Sequence, residues 1–157
     1  MRRTACAFVL QLCCLPTSLA MADQTVALDS LQWKHRVLLL PKVQEGNSGP
    51  VDWPSERKAL LDRDLVLFRA EQGDYRQLFP KPSSPTRLEL PKKIQKKASG
   101  RVTLIGKDGG VKRHWTSEFP ELPAEVFALI DSMPMRQREM RREKEAADER
   151  SDPKAEK

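Results

Sequence analysis

The run Leu104-Ile105-Gly106-Lys107-Asp108-Gly109-Gly110-Val111-Lys112 constrains the fold of this chain most. Arg101-Val102-Thr103-Leu104-Ile105 reads as a strand, and Lys107-Asp108-Gly109-Gly110 supplies residues tolerant of positive φ for a tight hairpin. Val111 to Trp115 then returns antiparallel. From Pro123 the period changes. Leu122, Val126, Leu129, Ile130 and Met133 recur at three- and four-residue steps, the stripe of a helix packed on one face. Pro134 should break or kink that helix. A hairpin followed by a helix dictates a β-β-α ending, and it names no reaction.

The start of the chain reads as a processing segment. Met1-Arg2-Arg3 is basic, Ala5 to Leu15 is apolar and too short to span a bilayer, and small residues follow. Ser18-Leu19-Ala20 and Ala20-Met21-Ala22 both fit the small-x-small rule, so residues 1–22 are expected to be a signal peptide cleaved after Ala20 or Ala22. A retained anchor is disfavoured by the short apolar run, and a lipoprotein by Cys13, which stands where a small residue is needed before Cys14. Export to the periplasm or the cell exterior is therefore expected, with no stable membrane anchor after cleavage.

Cleavage removes Cys6, Cys13 and Cys14, the only cysteines. A mature chain of about 135 residues would hold together by core packing without disulfides, and no thiolate mechanism would be open to it. Without Arg2 and Arg3 the 28 basic residues become 26 against 22 acidic ones, a net charge of +4. That balance favours weak attraction to anionic surfaces and specifies no partner.

The interior reads as alternating elements. Val37-Leu38-Leu39-Leu40 is an unbroken apolar run ended by Pro41, which suits a strand buried on both faces. Glu45 to Pro50 is a loop by composition, and Pro54 to Leu61 a short helix. After Asp62-Arg63-Asp64 comes a second buried strand, Leu65 to Phe68. Strand, helix and strand make a βαβ unit with parallel strands. Residues 70–100, interrupted by Pro80, Pro82, Pro85 and Pro91, are expected to be an extended crossing segment with one short helix, Lys92 to Ala98. Asp23 to Asp29 reads as a leader. Residues 141–157 form a charged tail, either a solvated helical extension or a flexible end.

The order βαβ, crossing segment, ββα is that of the thioredoxin-like fold, an α/β class with a mixed sheet flanked by helices. The hairpin resembles that of peroxiredoxin-like proteins. Leu31 to Met140 as a whole resembles one branch of that superfamily, a domain of unknown function sometimes called the DUDES type. The resemblance rests on Trp33-Lys34 with Arg36-Val37-Leu38-Leu39, on Arg63-Asp64, on the hairpin run, and on Ile130-Asp131-Ser132-Met133-Pro134-Met135-Arg136-Gln137. The branch occurs in single-domain exported bacterial proteins and in animal extracellular proteins with sushi repeats or coiled coils. It implies a thioredoxin-like domain over residues 29–140 and carries no agreed catalytic residues. Peroxiredoxins place their cysteine after the first strand, preceded by threonine and proline; here Pro41 to Trp53 holds neither cysteine nor threonine. Thioredoxins place a proline before the third strand, where this chain has Ser99-Gly100-Arg101.

Several residues invite a sharper reading. Lys107 and Asp108 form a charged pair at the hairpin tip, with Asp131 and Arg136 brought near by topology; together they are the candidate site of a non-cysteine enzyme. The simpler reading is turn chemistry, in which Asp and Gly satisfy the backbone and Lys keeps the tip soluble. The Gly-Lys-Asp-Gly-Gly string lacks the spacing of a phosphate loop. Lys92, Lys93, Lys96 and Lys97 cluster on one side of a short helix and would suit phosphates, lipid headgroups or acidic glycans, or simply a solvated face. No aromatics interleave with them, so nucleic acid is not expected as a partner. Among Trp33, Trp53 and Trp115, Trp53 is the candidate exposed binding aromatic and the others candidate core anchors. Met133, Met135 and Met140 carry thioethers that would suit Cu(I), but their spacing around a proline favours core packing, of Met133 first and then Met140; His35 and His114 lack ligand spacing, so no metal or cofactor is expected. The resulting expectation is an exported, non-catalytic, thioredoxin-like module that binds an envelope or extracellular protein or polymer. An enzyme built on the charged residues, and an anion-binding protein, are the alternatives.

Overall fold

The computed structural model describes residues 23–42, 56–115 and 122–151. Among the described residues seven strands form one mixed sheet: β1 (Gln24–Ala27), β2 (Arg36–Leu40), β3 (Leu65–Glu71), β4 (Asp74–Phe79), β5 (Thr86–Glu89), β6 (Val102–Ile105) and β7 (Val111–Trp115). Their order across the sheet is β1-β5-β4-β3-β2-β6-β7. The helices are α1 (Leu28–Leu31), α2 (Arg57–Asp62), α3 (Lys92–Ala98), α4 (Leu122–Asp131) and α5 (Pro134–Ser151).

The expected fold class holds. β2, α2 and β3 make the βαβ unit, with β2 and β3 parallel in the register Val37↔Val66 and Leu39↔Phe68. β6 runs antiparallel to β2, and β7 antiparallel to β6. All five residues of β2 are buried, because the strand is central and both its faces are covered. Leu38 and Leu40 point into one core with Leu60 of α2, Leu104 of β6, and Val126 and Ile130 of α4. Val37 and Leu39 point into the other with Leu28 of α1, Ala98 of α3 and Ile105 of β6. The arrangement is consistent with a thioredoxin-like one.

The crossing segment differs from expectation. Besides α3 it contains two strands, β4 and β5, and the supposed leader supplies β1. The prolines flank these strands rather than interrupting them: Pro80, Pro82 and Pro85 lie between β4 and β5, and Pro91 caps α3. Gln72 and Gly73, both at positive φ, make the two-residue turn from β3 to β4. β1 is held by parallel pairing with β5, a contact across 62 residues that local pattern cannot reveal (Gln24↔Thr86).

The hairpin is less tight than expected. Gly106 N–H donates to Gly110 C=O at 2.9 Å, and of the turn residues only Gly109 has positive φ, at 76°. A Cβ at Gly109 would run into the Gln32 side chain. Pro134 separates α4 from α5 by standing in the first turn of the second helix, where its missing N–H costs nothing. The charged segment continues α5 to Ser151, and residues 141–145 and 147–150 are exposed. The segments 1–22, 43–55, 116–121 and 152–157, which include the expected signal peptide and Trp53, lie outside the described residues.

Candidate functional site

The charged residues of the hairpin and the terminal helices meet at one end of the sheet, where β2 and β3 begin and β6 ends. Three cations there are buried: Arg36 is 1 % exposed, Arg136 5 % and Lys107 9 %. Charges withdrawn from water to this degree need partners. Glu139 of α5 supplies the central one. Its Oε1 accepts from Lys107 Nζ at 2.7 Å and its Oε2 from Arg36 Nη2 at 3.1 Å. Lys107 Nζ also donates to Asp64 at 2.8 Å, and Arg36 Nη1 to the Arg63 carbonyl at 2.8 Å.

A second lobe joins α4 to the turn before β3. Arg63 grips Asp131 with two bonds, Nε to Oδ1 at 3.0 Å and Nη2 to Oδ2 at 2.5 Å, in the forked geometry suited to guanidinium and carboxylate. The Arg63 guanidinium also lies 4.6 Å from the centre of the Phe127 ring. Arg136 connects the lobes: its Nη1 donates to Glu143 at 3.0 Å and stands 3.8 Å from Glu139, while its Nε is 3.8 Å from Asp131. That Nε is buried without a hydrogen-bond partner among the described residues. Four cations (Arg36, Arg63, Lys107, Arg136) thus face four acids (Asp64, Asp131, Glu139, Glu143).

Burial pushes the Glu139 carboxyl upward, yet the hydrogen bond from Lys107 and the charge and hydrogen bond of Arg36 outweigh it and hold the group below the usual carboxylate range. Glu139 is therefore an anion at neutral pH, held by cations it cannot leave cheaply.

This geometry sorts the residues singled out by sequence. Lys107, Asp131 and Arg136 do come together: Lys107 and Arg136 both approach Glu139, and Asp131 joins them through Arg136. The expectation that Lys107 keeps the hairpin tip soluble is overturned: its backbone is in the turn, but its side chain runs inward to Asp64 and Glu139. Asp108 stands apart. It accepts from Gly110 N–H at 3.1 Å and pairs with Lys112 at 2.6 Å, and the Lys112 hydrogen bond, prevailing over partial burial, lowers its carboxyl pKa. That is the turn chemistry expected of it. Sequence reasoning missed Arg36, Arg63, Asp64, Glu139 and Glu143 as members. A lone Arg at the head of an apolar strand was the available signal for Arg36; Glu139 was hidden among the many charges of its helix.

The tryptophans also part. Trp115 is a core anchor, its Nε1–H donating to Glu125 at 2.9 Å. Trp33, expected in the core, is 67 % exposed and has a left-handed backbone, φ 63°. Its N–H donates to the Lys107 carbonyl at 2.7 Å, which pins its backbone to the hairpin at the edge of the ionic network. An L-residue in that conformation costs about 1–2 kcal/mol, and here little side-chain burial offsets it. Trp33 follows α1 at the helix-ending position that glycine usually fills.

Lys92, Lys93, Lys96 and Lys97 are all exposed on α3 and form no ion pair among the described residues. A cavity of about 270 Å³ lies at the other side of the sheet, lined by Asp23, Glu71, Asp74, Arg76, Pro85 and Arg87. Its charges are paired with each other, Arg87 with both Asp23 and Asp74 and Arg76 with Glu71. None of the sequence-predicted site residues lines it.

Residues 27–139 match a family model described as Domain of unknown function (DUF4174). No curated protein matches the chain, and no solved structure does.

Proposed function

This chain belongs to the DUF4174 family of unknown function, and from that membership we propose that it is an exported, thioredoxin-like binding module without thiol redox activity. The kinship suggested by its motifs, with exported bacterial domains and with animal extracellular proteins carrying sushi repeats or coiled coils, belongs to the same reading. Trp33 is the observation that carries it. A bulky indole is presented to solvent on a backbone that disfavours it, next to a hairpin clamped from beneath by ion pairs. Strain of this kind concentrates where a residue serves something other than stability. An exposed Trp on a rigid base is the side chain from which binding hot spots are made.

The enzyme alternative draws less support. Lys107, Asp131 and Arg136 are engaged in neutralising their own surroundings. They also sit at the amino ends of β2 and β3, whereas open α/β sheets bind ligands beyond the carboxyl ends of their strands. With the three cysteines at positions 6, 13 and 14, cleavage of the signal segment would leave no thiol.

Two measurements test the reading. The untagged mature protein should neither consume peroxide nor reduce disulfides above a heat-killed control; turnover of either substrate would overturn it. Crosslinking in the cell envelope should capture a partner with wild-type protein and not with a folded Trp33→Ala variant. Equal capture by the variant would remove Trp33 from the interface.

A further inference from the structure

The end of the sheet opposite the ionic network carries a second group of residues. The β2–β6 register sets Leu39 against Thr103, so the start of β6 lies at the carboxyl end of β2, the end where folds of this class place ligands. Thr103 is fully buried and faces His114 across the β6–β7 pair, with Oγ1 and Nδ1 2.9 Å apart. Among the described residues β7 is the last strand of the sheet, so His114 stands at the edge and is partly exposed. Binding Nδ1 to Thr103 fixes the ring and leaves Nε2 as the nitrogen available to a ligand.

Two cations accompany it. Arg101 precedes Thr103 by two residues, and its N–H donates to the Ala98 carbonyl at 3.1 Å, which ties it to the last turn of α3 beside Lys97. Neither Lys97 nor Arg101 has an ion-pair partner among the described residues, in contrast to the paired cations at the opposite end. Partial burial first, then the charges of Arg101 and Lys97, hold the His114 imidazole below its usual pKa. From α3 and from the residues leading into β6, the charges that reach the ring are thus both positive. Among the described residues no carboxylate offsets these charges at the ring, and an incoming anion would relieve the arrangement.

We propose that Lys97, Arg101 and the Nε2 edge of His114 form a recognition site for an oxyanion of the phosphate class. Lys97 and Arg101 supply charge, Arg101 also a planar fork of donors. Protonated His114 donates from Nδ1–H to Thr103 and from Nε2–H to the anion. Lys92, Lys93 and Lys96 extend the positive field along α3 and steer the anion inward. The site is separate from Trp33, and its test does not depend on the partner sought there.

The chain has two histidines, and His35, before β2 at the other end, is an internal control. The ring resonances of both are followed by NMR as pH varies, in inorganic phosphate and in sodium chloride of equal ionic strength. The chloride series accounts for screening, which by itself relaxes the depressed value. Phosphate should raise the His114 pKa by about one pH unit beyond chloride, and by linkage phosphate should bind about tenfold more tightly to the protonated form. His35 should not move, and Arg101→Gln and Lys97→Gln should each reduce the shift. Vesicles of phosphatidylcholine with phosphatidic acid, compared with phosphatidylcholine alone, distinguish a headgroup from a free phosphate; a shift with those vesicles only would assign the site to lipid. No shift in either arm, equal shifts of His35 and His114, or an undiminished shift in both variants would overturn the proposal.

Discussion

Lys107 Nζ lies 2.7 Å from Glu139 Oε1, joining the hairpin turn to α5 across 32 residues of sequence. The lysine is buried and the same carboxylate takes a bond from Arg36, so one acid serves two cations removed from water. Such a pair fastens the terminal helix to the sheet more than it adds net stability, because desolvation consumes much of the Coulombic gain.

Removing the shared acceptor should therefore cost far more than the pair contributes. Glu139→Ala should lower unfolding free energy by about 3–5 kcal/mol, the range for leaving buried charge uncompensated. Urea denaturation measures it. A loss below about 1 kcal/mol would show that α5 docks without the ionic network.

The same carboxylate sets an acid limit. Its folded pKa lies below the unfolded one, so its contribution is complete above the unfolded value and is lost as pH falls through the folded value. Stability of the wild type should decline below about pH 4.3. Glu139→Gln should begin less stable at pH 7 and lose less on acidification, as read by thermal melts from pH 7 to pH 3. Parallel decline in both proteins would assign the acid sensitivity elsewhere.

Trp33 should behave in the opposite sense to a core residue. Trp33→Gly relieves the left-handed backbone and should leave stability unchanged or raise it by about 1 kcal/mol. A loss of 2 kcal/mol or more would mean that the indole is a packing residue after all.

Gly109 is required by its neighbour as well as by its φ. Gly109→Ala should destabilise by about 2 kcal/mol, combining the left-handed backbone with the clash against Gln32. Making the change in a Gln32→Ala background should recover the steric part. Identical costs in the two backgrounds would leave the backbone as the whole cause.

What the sequence by itself determined is the part of this protein governed by local pattern. An unbroken apolar run marked β2, because a strand covered on both faces has no polar side to display. The span Lys92–Ala98 was readable as α3 from its composition between Pro91 and Ser99-Gly100, and Val111–Trp115 as β7 from the glycines before it. Pro134 marked the boundary between α4 and α5. Asp108 was legible too, since turn chemistry acts over two to four residues.

The tertiary structure alone decided what depends on distant partners. β1 and β5 are too short to declare themselves: β5 is held between β4 and β1, and β1 by its pairing with β5. Lys107 sits in a turn that looks solvent-facing, and only Asp64 and Glu139, 43 and 32 residues away, draw its side chain inward. Trp33 looks like a core residue by hydrophobicity, yet the positive φ after α1 and the bond to Lys107 turn it outward. Chain pattern records which residues prefer burial. Which charges are buried together, and which aromatic is left in water, follows from how the elements meet.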